Sequence, residues 1–267
     1  MIDRDEVEQV AGRVDGNGTT ARPPLLEVSG ATKRFGAVEA LVDVDLVVHR
    51  HEVVALVGDN AAGKSTLARM VAGVHQPDAG TVRLEGVDVA LASPSQAYQA
   101  GVATVFQELA LADNLDVTAN IFLGRELRVG RLLDEARMEH LAHDYLQQLN
   151  SRIPSPRVRL STLSAGQRQC VAIARTLVGD PRLIVLDEPT ASLSVAQTAE
   201  VLNHVSSLRD LGLGVVLISH NLTDVRAVAD RVEVLRHGRN NGSFDAESPY
   251  ESVIAAITGA TMVQRRR

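Results

Sequence analysis

From residue 25 onward the chain alternates short, dense apolar runs with longer stretches whose apolar positions recur every three or four residues. The dense runs are Leu25–Gly30, Val42–Val48, Val53–Val57, Thr81–Leu84, Val102–Phe106, Leu183–Leu186, Val215–Ile218 and Val232–Leu235. They are rich in β-branched residues and bounded by Gly or polar residues, which predicts strands. Runs apolar at every position predict strands buried on both faces. The other spacing predicts helices. Met138, Leu141, Tyr145 and Leu149 mark one, behind a cap at Asp134. Ser65–Ala72, Ala165–Val178 and Ser194–Leu208 mark three more, and Gly73, Gly212 and Gly214 supply stops. Ser248-Pro249 predicts a cap and a first-turn proline for a last short helix.

Strands alternating with helices predict a mostly parallel sheet flanked by helices, an α/β fold. The stretch from about 95 to 178 is mainly helical and interrupts that alternation, so it reads as an inserted subdomain. Residues 1–24 are polar, end in Gly16–Thr20 and Pro23-Pro24, and predict a flexible extension. Residues 261–267 end in Arg265-Arg266-Arg267 and read as a solvated basic tail, leaving 25–260 as the folded domain.

Composition narrows the function classes. The 267 residues carry a net charge of -6, only 3% aromatics and no Trp. Neither a positive field nor stacking platforms recommend nucleic acid as a partner. The single cysteine, Cys170, excludes an internal disulfide and a Cys-rich zinc site, and fits a reducing cytoplasm. No apolar run approaches the roughly 18 residues of a membrane span. The acidic start Met1–Asp5 is unlike a signal peptide. The expectation is a cytoplasmic chain that reaches a membrane only through a partner.

The candidate chemistry begins at Gly58-Asp59-Asn60-Ala61-Ala62-Gly63-Lys64-Ser65-Thr66, which fits G-x4-G-K-[ST] between an expected strand and an expected helix. Glycines let consecutive backbone N–H groups turn toward phosphate oxygens, and the helix adds its positive end. Lys64 supplies a charge for the β- and γ-phosphates and the Ser65 hydroxyl a magnesium ligand. By itself the loop says only nucleotide, because small-molecule kinases, GTPases and motor ATPases all carry it. Asp187 and Glu188 end an apolar strand and, as neighbours, point to opposite sides. In that order Asp187 suits magnesium and Glu188 suits polarising an attacking water.

Leu163-Ser164-Ala165-Gly166-Gln167, at the start of a helix and before that strand, resembles the LSGGQ signature of the ABC ATPases. The order of phosphate loop, Gln107, signature, Asp187-Glu188 and His220 matches that family over about residues 25–258. The resemblance implies a P-loop NTPase core with an antiparallel β subdomain and an inserted α-helical subdomain. It implies ATP and Mg2+ as ligands, with Gln107 as a magnesium ligand that reports the γ-phosphate. His220 resembles the histidine that contacts that phosphate, and Phe35 stands where the family keeps an aromatic for adenine. It also implies a head-to-tail dimer in which Ser164, Ala165, Gly166 and Gln167 of one copy close over the phosphate loop of the other.

Three positions depart from the pattern: Ala61 and Ala165 stand where relatives have Gly, and Ser194 where they have Asp. A positive φ at Ala61 would cost roughly 1 kcal/mol, Ala165 would bring a methyl toward the phosphate, and Ser194 is expected to cap the next helix. Val105–Leu109, Asn114-Leu115, Asn120–Glu126, Ala229–Arg231, Leu235–Arg239 and Ile257–Ala260 are similar to ATP-binding subunits of ribose-, xylose- and fructose-type sugar importers. That resemblance implies an integral membrane permease, met by the segment after Gln107, and indirectly an extracytoplasmic sugar-binding protein. An ABC ATPase of another transport class, an exporter motor and an ATP-binding module without turnover remain alternatives.

Overall fold

The computed structural model describes residues 23–260, so most of the expected N-terminal extension and the basic tail lie outside the described residues. The runs that are apolar at every position build the centre of one sheet. Strands β3 (Val53–Val57), β6 (Val102–Val105), β9 (Leu183–Asp187), β10 (Gly214–Ile218), β11 (Arg231–Arg236) and β12 (Arg239–Asp245) line up in the order β12-β11-β3-β10-β9-β6. All neighbours are parallel except the β11–β12 pair. Alternation divides each central strand between two cores. Val53, Ala55 and Val57 join Ile184, Leu186, Val215 and Leu217 on one face. Val54 and Leu56 join Leu183, Val185, Val216 and Ile218 on the other. Burial on both faces is why these strands read as unbroken apolar runs.

The first face is covered by α3 (Val117–Phe122), α4 (Glu135–Gln148), α5 (Ala165–Thr176), α6 (Val195–Asp210), α7 (Leu222–Val228) and α8 (Tyr250–Thr258). On the second face lie α1 (Lys64–Val71), α2 (Pro94–Gln99) and a four-stranded antiparallel sheet. Its order is β2-β1-β4-β5, with β1 (Leu26–Phe35), β2 (Val38–Val48), β4 (Ala79–Leu84) and β5 (Val87–Asp88). Pairing with β2 carries β1 through Gly30 to Phe35 despite register shifts, well past the apolar run that marked it. Strand β6 lies inside the stretch expected to be mainly helical and forms the edge of the main sheet.

Several elements have weak local signals. Strand β12 is largely polar and pairs only as an edge. A hairpin of β7 (Arg128–Val129) and β8 (Leu132–Leu133) interrupts the helical stretch. The expected serine cap of the last helix is corrected. Ser248 spends its backbone N–H on Asp245 in the preceding turn, and Pro249 is the residue before α8, with no side-chain cap. Asp134 does cap α4, through Arg137 N. Cys170 is fully buried, and burial pushes its thiol up to about 12, which leaves it an inert packing residue.

His204 on α6 is buried and its Nδ1 lies 2.6 Å from the Leu149 carbonyl at the end of α4. A carbonyl only accepts, so Nδ1 carries the proton. Nε2 is buried without a partner, and burial holds the imidazole below its ordinary 6.5. Protonation is easier in the unfolded chain. Stability is therefore full above about pH 6.5 and falls as the pH drops below it. Melting temperatures followed from pH 8 to pH 5 are expected to show an acid-side decline that shrinks in His204→Gln. Identical pH profiles would show that His204 does not drive it.

Candidate functional site

The parallel strands bring four separate chain segments to one edge. Ile218 of β10 is level with Leu56 of β3 and with Asp187 of β9, and Val105 of β6 is level with Leu186. Beyond those ends follow Gly58 after β3, His220 after β10, Glu188 after β9 and Gln107 after β6. Crevices at the C-terminal edge of parallel strands are where α/β folds bind ligands.

The loop from Gly58 to Gly63 leads directly into α1. It is held from behind by parts of the chain that carry no phosphate chemistry. A Cβ on Gly58 would lie 2.1 Å from the Leu235 carbonyl oxygen, and one on Gly63 would lie 2.6 Å from that of Ala40. The β11–β12 turn seals the arrangement, with Gly238 N–H donating to Ala62 O and Val42 N–H donating to Gly238 O. Ala40 and Gly238 are positioning residues that motif reading does not find. The only sequence signal is the His237-Gly238 pair itself, following the apolar run Val232–Leu235. Ala61 adopts φ 62°, so the methyl sits in the left-handed region and the expected strain of roughly 1 kcal/mol is present.

Lys64 is buried, and its ammonium donates to the carbonyls of Gly58 at 2.7 Å and Asp59 at 2.9 Å. Burial lowers its pKa, while Glu188, Asp187 and Asp59 oppose that shift. The Ser65 hydroxyl faces the Asp187 carboxylate and favours its charged form, and Thr66 follows Ser65 in the first turn of α1. Burial raises the Asp187 pKa and the charge of Glu188 raises it further. Asp187 is thus a carboxylate whose charge is incompletely balanced by the protein. Ser65, Asp187 and the exposed Gln107 offer only hard oxygen donors, the set that suits Mg2+.

Glu188 departs from the strand with φ 53°, so its direction is set by a left-handed turn and not by strand alternation. Its Oε2 lies 2.8 Å from His220 Nδ1. A carboxylate accepts, so Nδ1 donates and the other ring nitrogen, Nε2, stays available. The segments carrying the pair are tied together. Thr190 Oγ1 donates to Asp224 Oδ2 at 2.7 Å, and Asn221 Nδ2 donates to Asp224 Oδ1 at 2.9 Å. Asp224, which the motif reading passed over, is buried and fixes both loops. His220 and residues 58–60 line one open cleft of about 370 Å³.

The remaining predicted residues lie elsewhere. Phe35 ends β1 with 44% of its surface exposed, its ring edge-to-face with His75 at 5.1 Å. Ser164 caps α5, accepting from Gln167 N–H, while Gln167 Oε1 accepts from Ser164 N–H. This capping box leaves the first N–H groups of the helix, at Ala165 and Gly166, pointing along its axis. A Cβ on Gly166 would meet Gln197 at 3.1 Å, whereas Ala165 is exposed. Helix packing is thus tight at 166, where Gln197 would have to give way to a methyl, and open at 165. Ser194 caps α6 through a second capping box with Gln197. Among the described residues no hydrogen bond joins residues 163–167 to the phosphate loop of the same chain.

The sheet order, the loop before α1 and the capped α5 define a nucleotide-binding cassette of the P-loop class. Residues 41–191 match the ABC transporter family, and the chain belongs to that family. It is 43% identical to the xylose/arabinose import ATP-binding protein of Sulfolobus acidocaldarius, over 80% of this chain and 86% of that protein. It is 42% identical to the fructose import ATP-binding protein of Rhizobium meliloti, over 90% and 96%. A ribose import ATP-binding protein of Rubrobacter xylanophilus is 38% identical over 91% of this chain but only 48% of its own length. Among solved structures, a nucleotide-free ATP-binding cassette of an ABC transporter superposes with TM-score 0.76 at 26% identity, covering 87% of this chain and 95% of that one. An ABC transporter cassette in its ADP conformation gives 0.74 at 26%, covering 88% and 95%.

Proposed function

We infer that this chain is the ATP-hydrolysing subunit of an ABC importer for a monosaccharide or related polyol, working beneath a separate membrane permease. The observation that carries the hydrolytic reading is the Glu188–His220 pair at 2.8 Å, set on the same sheet edge as the phosphate loop. The import reading rests on the relatives, which are named as xylose/arabinose, fructose and ribose import ATP-binding proteins.

The roles follow from chemistry. The backbone of Gly58, Asp59, Asn60, Ala61, Ala62 and Gly63, with the amino ends of Lys64, Ser65 and Thr66, cradles the β- and γ-phosphates. The Lys64 ammonium exchanges its carbonyl partners for phosphate oxygens, and the phosphate charge keeps it protonated. Phe35 offers a ring face to adenine. Mg2+ would be held by Ser65, Gln107 and Asp187, and when bound it neutralises phosphate charge. Glu188 accepts a proton from the attacking water. His220 orients that carboxylate through Nδ1–H, and a second proton, on Nε2, is what would let the ring also donate to the γ-phosphate. The free N–H groups of Ala165 and Gly166, with Ser164 and Gln167, serve the nucleotide of a second copy. Two copies, or a paired ATPase subunit, complete two sites.

The groove between β6 and α5, about 210 Å³ and lined by Phe106, Glu108, Leu109, Arg125 and Arg175, is the seat we assign to the permease. Among the described residues no helix is long and apolar enough to cross a membrane, and the permease is the attachment we assign at the inner membrane face. The test is reconstitution of the chain with its co-purifying permease and a sugar-binding protein in liposomes. ATP-dependent uptake of a labelled pentose or hexose is expected. ATP hydrolysis that moves none of a panel of pentoses, hexoses and polyols would remove the import reading.

A further inference from the structure

We propose that Lys33 and Asp78 are positioning residues for nucleotide binding: paired with each other, they hold the Phe35 ring in place to receive the base. The proposal rests on the reading above of Phe35 as the ring offered to adenine. Neither residue belongs to the phosphate loop, to the signature at 163–167 or to the two carboxylates after β9.

The place of the ring is set by β2. Phe35 pairs with Val38 across the β1–β2 hairpin, and two residues farther along β2 the Ala40 carbonyl lies behind Gly63 of the phosphate loop. A strand rises about 3.3 Å per residue, so Val38 stands about 7 Å along β2 from that contact. The span of one nucleotide covers that separation. Phe35 and Val38 are 44% and 65% exposed, so the hairpin tip offers an apolar surface at that distance from the loop.

An exposed phenylalanine at a strand end is otherwise free to change rotamer, and stacking then costs the entropy of fixing it. Here two groups restrain the ring. His75 meets it edge-to-face at 5.1 Å, and His75 N–H donates to Arg69 O of α1, the helix that begins in the phosphate loop. The Lys33 ammonium lies over the ring, 5.7 Å from its centroid and within cation–π reach. That ammonium is itself fixed. It donates to Asp78 Oδ1 at 2.8 Å, and the Lys33 side chain is only 16% exposed. Asp78 is fixed in turn by the backbone. Its Oδ2 accepts from Arg34 N–H at 2.7 Å, and its own N–H donates to Thr32 O at 2.8 Å. An isolated surface ion pair contributes little. This pair ties the end of β1 to the segment that follows α1, and its cation touches the ring.

The test is isothermal titration of the full chain with ATP and Mg2+, for wild type and for single and paired variants. Phe35→Ala is expected to weaken ATP binding by about tenfold or more. Lys33→Met and Asp78→Asn are each expected to weaken it by about three- to tenfold. Lys33→Arg is expected to keep most of the affinity, because a guanidinium also pairs with a carboxylate and stacks on a ring. Combined with Phe35→Ala, neither Lys33→Met nor Asp78→Asn is expected to weaken binding further, since both act through that ring. A role through charge alone reads differently. Lys33→Met removes a positive charge and Asp78→Asn a negative one, so affinity for the anionic nucleotide then moves in opposite directions. Opposite shifts, undiminished affinity in both variants, or losses that persist in full beside Phe35→Ala overturn the proposal and leave the adenine reading of Phe35 standing. Wild-type affinity in Phe35→Ala overturns both.

Discussion

Lys64→Ala is expected to weaken ATP binding by about a hundredfold or more, beyond detection in most equilibrium assays. Lys64 is the one cation of the phosphate loop, is buried, and rests on the Gly58 and Asp59 carbonyls at the mouth of that loop. Removing one partner of a desolvated charge pair costs about 2–5 kcal/mol, and tenfold in affinity is about 1.4 kcal/mol. Lys64→Arg is not expected to rescue binding, because a planar fork does not replace a point charge in a cradle shaped for ammonium. Isothermal titration with ATP and Mg2+, alongside a thermal melt to establish folding, is the measurement. A folded Lys64→Ala protein with near-wild-type affinity would sink the phosphate-loop assignment.

Glu188→Gln is expected to lower steady-state ATP hydrolysis by about two to four orders of magnitude, the usual contribution of a general base. The change keeps shape and removes only the charge and the proton acceptor. ATP affinity should survive, because Lys64 and the loop backbone are untouched. With hydrolysis blocked, ATP and Mg2+ are expected to hold two chains together across the phosphate loop and the α5 N-terminus, giving a dimer by light scattering. Equal hydrolysis rates in wild type and variant would mean that Glu188 is not the base. A monomer at high concentration with saturating ATP would count against the shared site.

Much of this site was legible locally. The phosphate loop announced itself because strand, glycines, lysine and helix fall within one short segment. The capping serine at 194 was legible for the same reason, since a cap and its third-residue partner are near neighbours in sequence, whereas the equivalent cap at Ser164 was passed over for its place in the signature. The main strands were legible because burial on both faces leaves apolar residues at every position. Strand β12 was not, since an exposed edge needs no apolar pattern. The short hairpin β7–β8 was hidden because its aliphatics face outward and carry no alternation.

What the sequence determined by itself was local chemistry: a phosphate cradle, two carboxylates after a buried strand, and a signature at the start of a helix. It even marked Ala61 as the place where a positive φ would cost strain, and the backbone there has φ 62°. The tertiary structure alone decided who meets whom. Strand order β3-β10-β9-β6 sets His220 and Glu188 beside a loop that precedes them by dozens of residues and puts Gln107 farther along the same sheet edge. It turned Glu188 through a left-handed φ toward His220, and it put Ala40 and Gly238 behind the glycines. The reason is physical. Turns, caps and side-chain periods are fixed by neighbours a few residues away. Strand order is fixed only when both faces of the sheet are buried at once, which involves the whole chain.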